Sequence, residues 1–356
     1  MPSALPRRSL LTACLAAGMF PTIAMRRAAA QDRAIHVGVY NSAQGVFIKR
    51  EIIPRFEADF RCRVFTTEGA TLTNIAALRA TRGNPRFTVM SMDDVGVPQA
   101  KAEGLIERLE PGEIPNLEKV YPRFLFEDNH GVGFAVSSCS LFHNPRAVQQ
   151  IASYGDIWEP RFRRRFLMNT PKNTQSVLLL IVAAALATGK PLQEAQYVLE
   201  EGWGRLSDLK SNVLTIYDSE AAVMQVAQGQ ADVGGLEYSK AIVPHTVRRV
   251  PLVMATPREG SFTGINGLTL VKGGPERELG CAFINRILEP SVSQIVNEAT
   301  FCAATVRGID FRPEVAPHIA YPESKMQDMG LFTPDWKHII PRRPAILERY
   351  NQVFGG

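Results

Sequence analysis

The order of elements is what most narrows the folds open to this chain. AIHVGVY (34–40) reads as a strand, followed by the polar turn Asn41-Ser42-Ala43-Gln44-Gly45 and the helical stretch VFIKREIIPRFEADF (46–60). CRVFTT (62–67), the turn Glu68-Gly69-Ala70-Thr71 and LTNIAALRATR (72–82) repeat that pattern. FTVMS (87–91) then leads to Met92-Asp93-Asp94, and VPQAKAEGL (97–105) continues as helix. Strands alternating with helices predict an α/β fold with an open parallel sheet and helices on its faces. Ligands bind such sheets in crevices beyond the carboxyl ends of the strands, so these turns should line one functional edge.

A second series follows. RFLMN (165–169) leads into MNTPKNTQSVLLL (168–180), VLTI (213–216) leads to Tyr217-Asp218-Ser219-Glu220 and the helix AAVMQVAQG (221–229), and ADVGGL (231–236) runs into Glu237-Tyr238-Ser239. The extended GVGFAVSSCSLFHN (131–144) joins the two series, and INGLTLV (265–271) reads as a return strand. Two crossings, at 131–142 and 258–267, make a hinge between lobes, each an open sheet flanked by helices. Lobe 1 is expected over residues 31–137 plus 266–320, and lobe 2 over 138–265 plus 321–356. Two such lobes form a cleft that closes on a ligand.

The amino-terminal segment reads differently. Arg7-Arg8 precede an apolar stretch broken by Gly18 and Pro21, and Ala28-Ala29-Ala30 follow, the order of an export signal cleaved near Ala30. The arginine pair before Ser9-Leu10-Leu11 resembles a twin-arginine signal, with Pro6 where a hydroxyl residue is usual. A spanning helix needs roughly 20 apolar residues, and this stretch is shorter and interrupted. The whole chain carries 40 Lys+Arg against 35 Asp+Glu, but removing Arg7, Arg8, Arg26 and Arg27 leaves 36 against 35. The basic pI therefore gives no support for nucleic-acid binding, which needs a basic patch. Of the five cysteines, Cys62, Cys139, Cys281 and Cys302 would remain after export. Cys281 and Cys302 could pair, although spacing does not fix connectivity.

MNTPKNTQSVLLL admits two readings. Thr170, Asn173 or Thr174 can cap the helix, with Pro171 suited to its first turn. A helix start edged by hydroxyls and amides is also a ready site for an anionic or polar group. Asn41, Ser42, Gly69 and Thr71 can likewise grip a ligand or serve as ordinary turn residues. Asp93 and Asp94 can neutralise a cation or cap the next helix. A buried Glu237 would need a partner, which an amine or an internal arginine could supply. RFRRR (161–165) lies before a strand rather than at its end and reads as surface. The six histidines are scattered with no metal-ligand spacing.

With those segments in place, the chain resembles the extracellular solute-binding proteins of ABC importers, in the group that includes polyamine, ferric-iron and aminoethylphosphonate binders. The resemblance rests on IHVGVYNSAQGVFIKREIIPRFEADFRCRVFTTEG, FTVMSMDDVGVPQAKAEGLIERL, YGDIWEPRFRRRFLMNTP, AQGQADVGGLEYS and GINGLTLVKGGPERELGCAFINRILEPSVSQIV, in that order. It implies a periplasmic-binding-protein fold of the type II kind, a monomer, and delivery of a small solute to an inner-membrane permease. It also sets Asn266 where polyamine binders carry an amine-anchoring aspartate, and Gly264 where they carry a tryptophan. A polyamine ligand is therefore doubtful, since a cation in a cleft wants carboxylates and aromatic faces. Ferric binders use adjacent tyrosines, and no two are neighbours here. Small polar organic solutes with a carboxylate, phosphonate or amide remain.

The candidate ligand-binding residues are Asn41, Ser42, Thr71, Asp93, Thr174, Gln175, Asp218, Glu237, Tyr238 and Asn266. No cofactor or metal is expected. The chain lacks H-E-x-x-H, G-x-S-x-G and G-x-x-x-x-G-K-[ST], so no enzyme is expected. Ser138 or Cys139 with His143 is the one nucleophile arrangement that can be named. The same cleft closure would also serve a sensor.

Overall fold

The computed structural model describes residues 33–218 and 222–355, so the export signal expected at 1–30 lies outside the described residues. The first series forms β1 (Ala34–Tyr40), α1 (Ala43–Phe47), a π turn at Ile48–Ile52, α2 (Ile53–Phe60), β2 (Arg63–Gly69), α3 (Thr71–Ala80), β3 (Val89–Asp93) and α4 (Val97–Ala102). β4 (Gly131–His143) is the long joining strand. The second series gives β5 (Phe166–Asn169), α5 (Thr174–Thr188), α6 (Gly202–Asp208), β6 (Val213–Tyr217), α7 (Val223–Ala227), β7 (Val233–Tyr238) and α8 (Ser239–Val247). The return strand β8 (Ser261–Val271) starts earlier than expected. Then come α9 (Arg277–Ile287), α10 (Pro290–Thr300), α11 (Glu323–Asp328), α12 (Trp336–Ile339) and α13 (Arg343–Phe354).

The main strands run in the order β2-β1-β3-β8-β4-β7-β5-β6. β1 pairs in parallel with β2 and β3 at one end, and β5 pairs in parallel with β6 and β7 at the other. Between them β8 and β4 are antiparallel to each other and to their outer neighbours. The two sheets are thus one ribbon, fused through the two strands that cross between lobes.

Each lobe buries both faces of its part of the ribbon. In β3, Val89 packs with Ile35, Phe134 and Phe283, whereas Met90 and Met92 pack with Ile75, Leu78 and Val97 on the other face. In β5, Phe166 and Met168 face Leu180 and Trp203, and Leu167 faces Phe142, Val226 and Ile242. That is the period-2 alternation of a sheet covered on both sides. α5 is buried from Gln175 to Ala185 and ends at Gly189, whose φ of 70° suits a left-handed C-cap. No helix among the described residues is long and apolar enough to cross a membrane.

The C-terminal segment links the lobes a further time. Met326 and Leu331 pack with the first lobe, where Leu331–Phe332 pairs with the start of β8. Trp336, Ile339, Ile346 and Tyr350 pack with the second. The apolar residues of α11 thus face the first cluster, and those of α12 and α13 the second. Cys281 and Cys302, left open as a pair by spacing, are free, as are Cys62 and Cys139, and all four are buried.

Candidate functional site

The carboxyl ends of β1, β3, β5 and β7 converge on the junction of the lobes. On the first side, Thr71 opens α3 and its hydroxyl donates to Asp93 Oδ2 at 2.9 Å while accepting from the Asp93 N–H at 3.0 Å. Gly96 makes this approach possible, since a Cβ there would sit 2.3 Å from the Thr71 methyl. The β8–β3 register sets Asn266 opposite Asp93, and Asn266 Nδ2 donates to Asp93 Oδ1 at 2.9 Å. Tyr40, at the end of β1, is buried, and its hydroxyl accepts from the Gly267 N–H at 3.1 Å.

Asp94 behaves differently from its neighbour. It is buried, and Trp336 Nε1 from α12 donates to its Oδ2 at 2.9 Å. Burial, with the adjacent Asp93 adding to it, pushes the Asp94 carboxyl up to about 7. Neither acid caps α4, which starts without a side-chain cap. Asn41 and Ser42 are exposed, and Ser42 caps α1 by accepting from the Gly45 N–H at 3.5 Å.

On the second side, Glu237 is buried at the end of β7. Tyr217 hydroxyl donates to it at 3.2 Å, Gln175 Nε2 at 3.3 Å, Asn169 Nδ2 at 3.4 Å and the Tyr238 N–H at 3.0 Å. The Tyr238 and Thr174 hydroxyls lie 3.4 Å apart. The Tyr238 ring rests on Gly264, where an added Cβ would come 2.2 Å from its Cε1. A tyrosine arriving from β7 thus fills the space beside Gly264.

The helix start that admitted two readings carries no side-chain cap. Asn173 occupies the N-cap position, but its amide donates to Asn169 Oδ1 at 2.9 Å, and Ser176 hydroxyl turns back to the Asn173 and Pro171 carbonyls. The Arg343 guanidinium donates to the Lys172 carbonyl. Thr174 is half-buried, whereas Gln175 is buried beneath it and engaged with Glu237.

The sequence reading missed Lys240, on the first turn of α8. Its ammonium donates to Asn266 Oδ1 at 3.1 Å and lies 5.5 Å from the centre of the Tyr238 ring. Thr71, Asp93, Asn266, Lys240, Tyr238 and Thr174 therefore form one run of contacts from lobe 1 to lobe 2. Asp218 is exposed beyond the end of β6 and stands apart from this run; Tyr217 before it turns inward instead. Cys139 is fully buried, and burial with Glu237 nearby pushes its thiol well above its usual range, the opposite of what a nucleophile needs. Arg165, from the basic RFRRR run, is paired with Asp232. A groove of about 480 Å³ lies elsewhere, between α6 and α13, lined by Trp203, Arg342 and Arg349.

Two α/β lobes joined by crossing strands, with polar side chains meeting at their junction, define a hinged binding protein. The sequence model of a family described as bacterial extracellular solute-binding protein matches residues 89–326, and this chain belongs to that family. No curated protein matches the sequence. Among solved structures, an ABC transporter protein from Clostridium perfringens is similar at a TM-score of 0.76 and 17% identity, over 90% of this chain and 99% of that one. An ABC transporter substrate-binding protein from Bradyrhizobium japonicum aligns at 0.76 and 14%, over 90% and 99%. A periplasmic binding protein from Agrobacterium tumefaciens in complex with glucopine aligns at 0.72 and 15%, over 90% and 99%. At these identities the likeness is one of fold.

Proposed function

We propose that this protein is exported to the periplasm by the twin-arginine route, loses its signal near Ala30, and as a monomer captures a small polar organic solute between its lobes. It delivers that solute to an inner-membrane ABC permease. Residues 31–137 with 266–320 act as one jaw, and 138–265 with the C-terminal segment as the other. The apolar clusters support this division, since Val136 and Ile265 pack with the first lobe and Cys139 and Phe262 with the second.

The observation that carries the reading is the run from Thr71 and Asp93 through Asn266 and Lys240 to Tyr238 and Thr174, which joins opposing strand ends across the hinge. The half-buried Thr174 at a helix start without a side-chain cap favours a solute with a carboxylate or phosphonate group. The protein binds without transforming.

The test is native mass spectrometry of the protein purified from the periplasm, followed by removal and re-addition of the solute it carries. Re-addition should raise the melting point by mass action and shrink the radius of gyration in X-ray scattering. A solute chemically altered on incubation, or one that binds with no compaction, would sink the reading.

A further inference from the structure

Lys240 is a cation in the proposed interlobe site that touches an amide and an aromatic ring. Its ammonium donates to the Asn266 amide oxygen and sits over the Tyr238 ring, and it forms no ion pair among the described residues. Among the described residues, none of the site's acids is hydrogen-bonded to it directly. Asp93 accepts from Thr71 and Asn266, Asp94 accepts from Trp336, and Glu237 is held by Tyr217, Gln175 and Asn169. The Asn266 amide stands between the two signs of charge, its oxygen toward Lys240 and its nitrogen toward Asp93. Arg343 is a second cation without an ion pair among the described residues and donates to the Lys172 carbonyl.

Closing the lobes strips water from Lys240. A desolvated ammonium with neutral partners is costly, and a counter-charge within hydrogen-bond reach removes that cost. No carboxylate among the described residues lies within ion-pair reach of Lys240, so a solute can bring one. We propose that Lys240 is the residue that selects the solute's charge: it takes a carboxylate, phosphate or phosphonate oxygen in a charge-assisted hydrogen bond and turns away amines by repulsion. The Tyr238 face and Asn266 hold the ammonium aimed at that position until the anion arrives. This inference rests on the solute-binding reading above.

The wild-type protein, Lys240→Gln and Lys240→Arg are freed of solute and titrated calorimetrically with succinate, glutamate, methylphosphonate, glucose, putrescine and the solute recovered from the periplasm. An anion should bind the wild type. Lys240→Gln should weaken it at least about tenfold, and Lys240→Arg should keep it within a few-fold. The melting points of the three solute-free proteins should agree, which separates lost recognition from lost folding. If the bound solute is neutral or cationic, or if Lys240→Gln holds the anion as tightly as wild type, the inference falls while the binding reading stands. If no probe and no recovered solute binds any of the three, both fall.

Discussion

Asp94 is sealed at the junction of the lobes, with Asp93 beside it and Trp336 as donor, and its carboxyl is pushed from 3.8 up to about 7. A carboxyl whose folded value exceeds its unfolded one binds its proton more tightly in the folded state. Its contribution to stability is therefore fully present below about 4 and is lost as pH rises through about 7. Asp94→Asn keeps an oxygen for Trp336 and removes the titration, so it should match wild type near pH 4.5 and exceed it at pH 8. The gain should be at most a few kcal/mol, at about 1.4 kcal/mol per unit. Urea melts of both proteins at the two pH values check this, and parallel curves would refute it. At this scale the sequence was legible in setting Asp93, Glu237 and Tyr238 at strand ends and Thr71 and Thr174 at the helix starts that follow strands. It was less so where partner identity depends on packing. Glu237 finds neutral donors contributed by β5, α5 and β6, and no local pattern announces three elements converging. Lys240 looks like any solvated lysine on a helix until the β8 strand that carries Asn266 is laid beside it.

α5 is buried on every side from Gln175 to Ala185, and the face it turns away from the sheet needs a cover. α13 supplies part of it. Tyr350 is fully buried, donates its hydroxyl to the Ser176 carbonyl at 2.6 Å and meets the Trp203 ring edge-on at 5.2 Å. Truncating it opens a cavity and removes the anchor of the last helix. Tyr350→Ala should cost about 3–5 kcal/mol, read as a lower urea midpoint with little change in slope. A loss below about 1 kcal/mol would mean that α13 is not docked as described. The same helix shows why its placement escaped a sequence reading. Only Ile346 and Tyr350 are buried along it, too thin a stripe to point to either lobe. The strands were easy to read because every one of them except the edge strand β2 carries a dense apolar run. α8 was harder, since Pro244 lies inside it and interrupts the helical pattern.

At the scale of the whole molecule an ion pair joins the two sides away from the crossing strands. Lys337 follows Trp336 in α12 on the lobe 2 side, and its ammonium lies 3.0 Å from Glu127 Oε2 on the lobe 1 side, just before β4. Glu127 is mostly covered while Lys337 is largely exposed, and Lys101 stands 4.0 Å from the same carboxylate. A pair whose cation stands in solvent contributes about 1 kcal/mol or less, and salt screens it. Because it spans the hinge, even that much shifts the fraction of protein already in the closed arrangement, and apparent affinity scales with that fraction. Lys337→Gln should therefore weaken solute binding by no more than about fivefold at low salt, without touching any residue of the site. The solute-free variant should show a larger radius of gyration than wild type, and both differences should vanish near 1 M salt, where the Debye length falls to about 3 Å. An affinity loss that persists at high salt would place the effect in folding or packing. No loss at low salt would mean that the pair is made equally in the open and closed arrangements and does not report on the hinge.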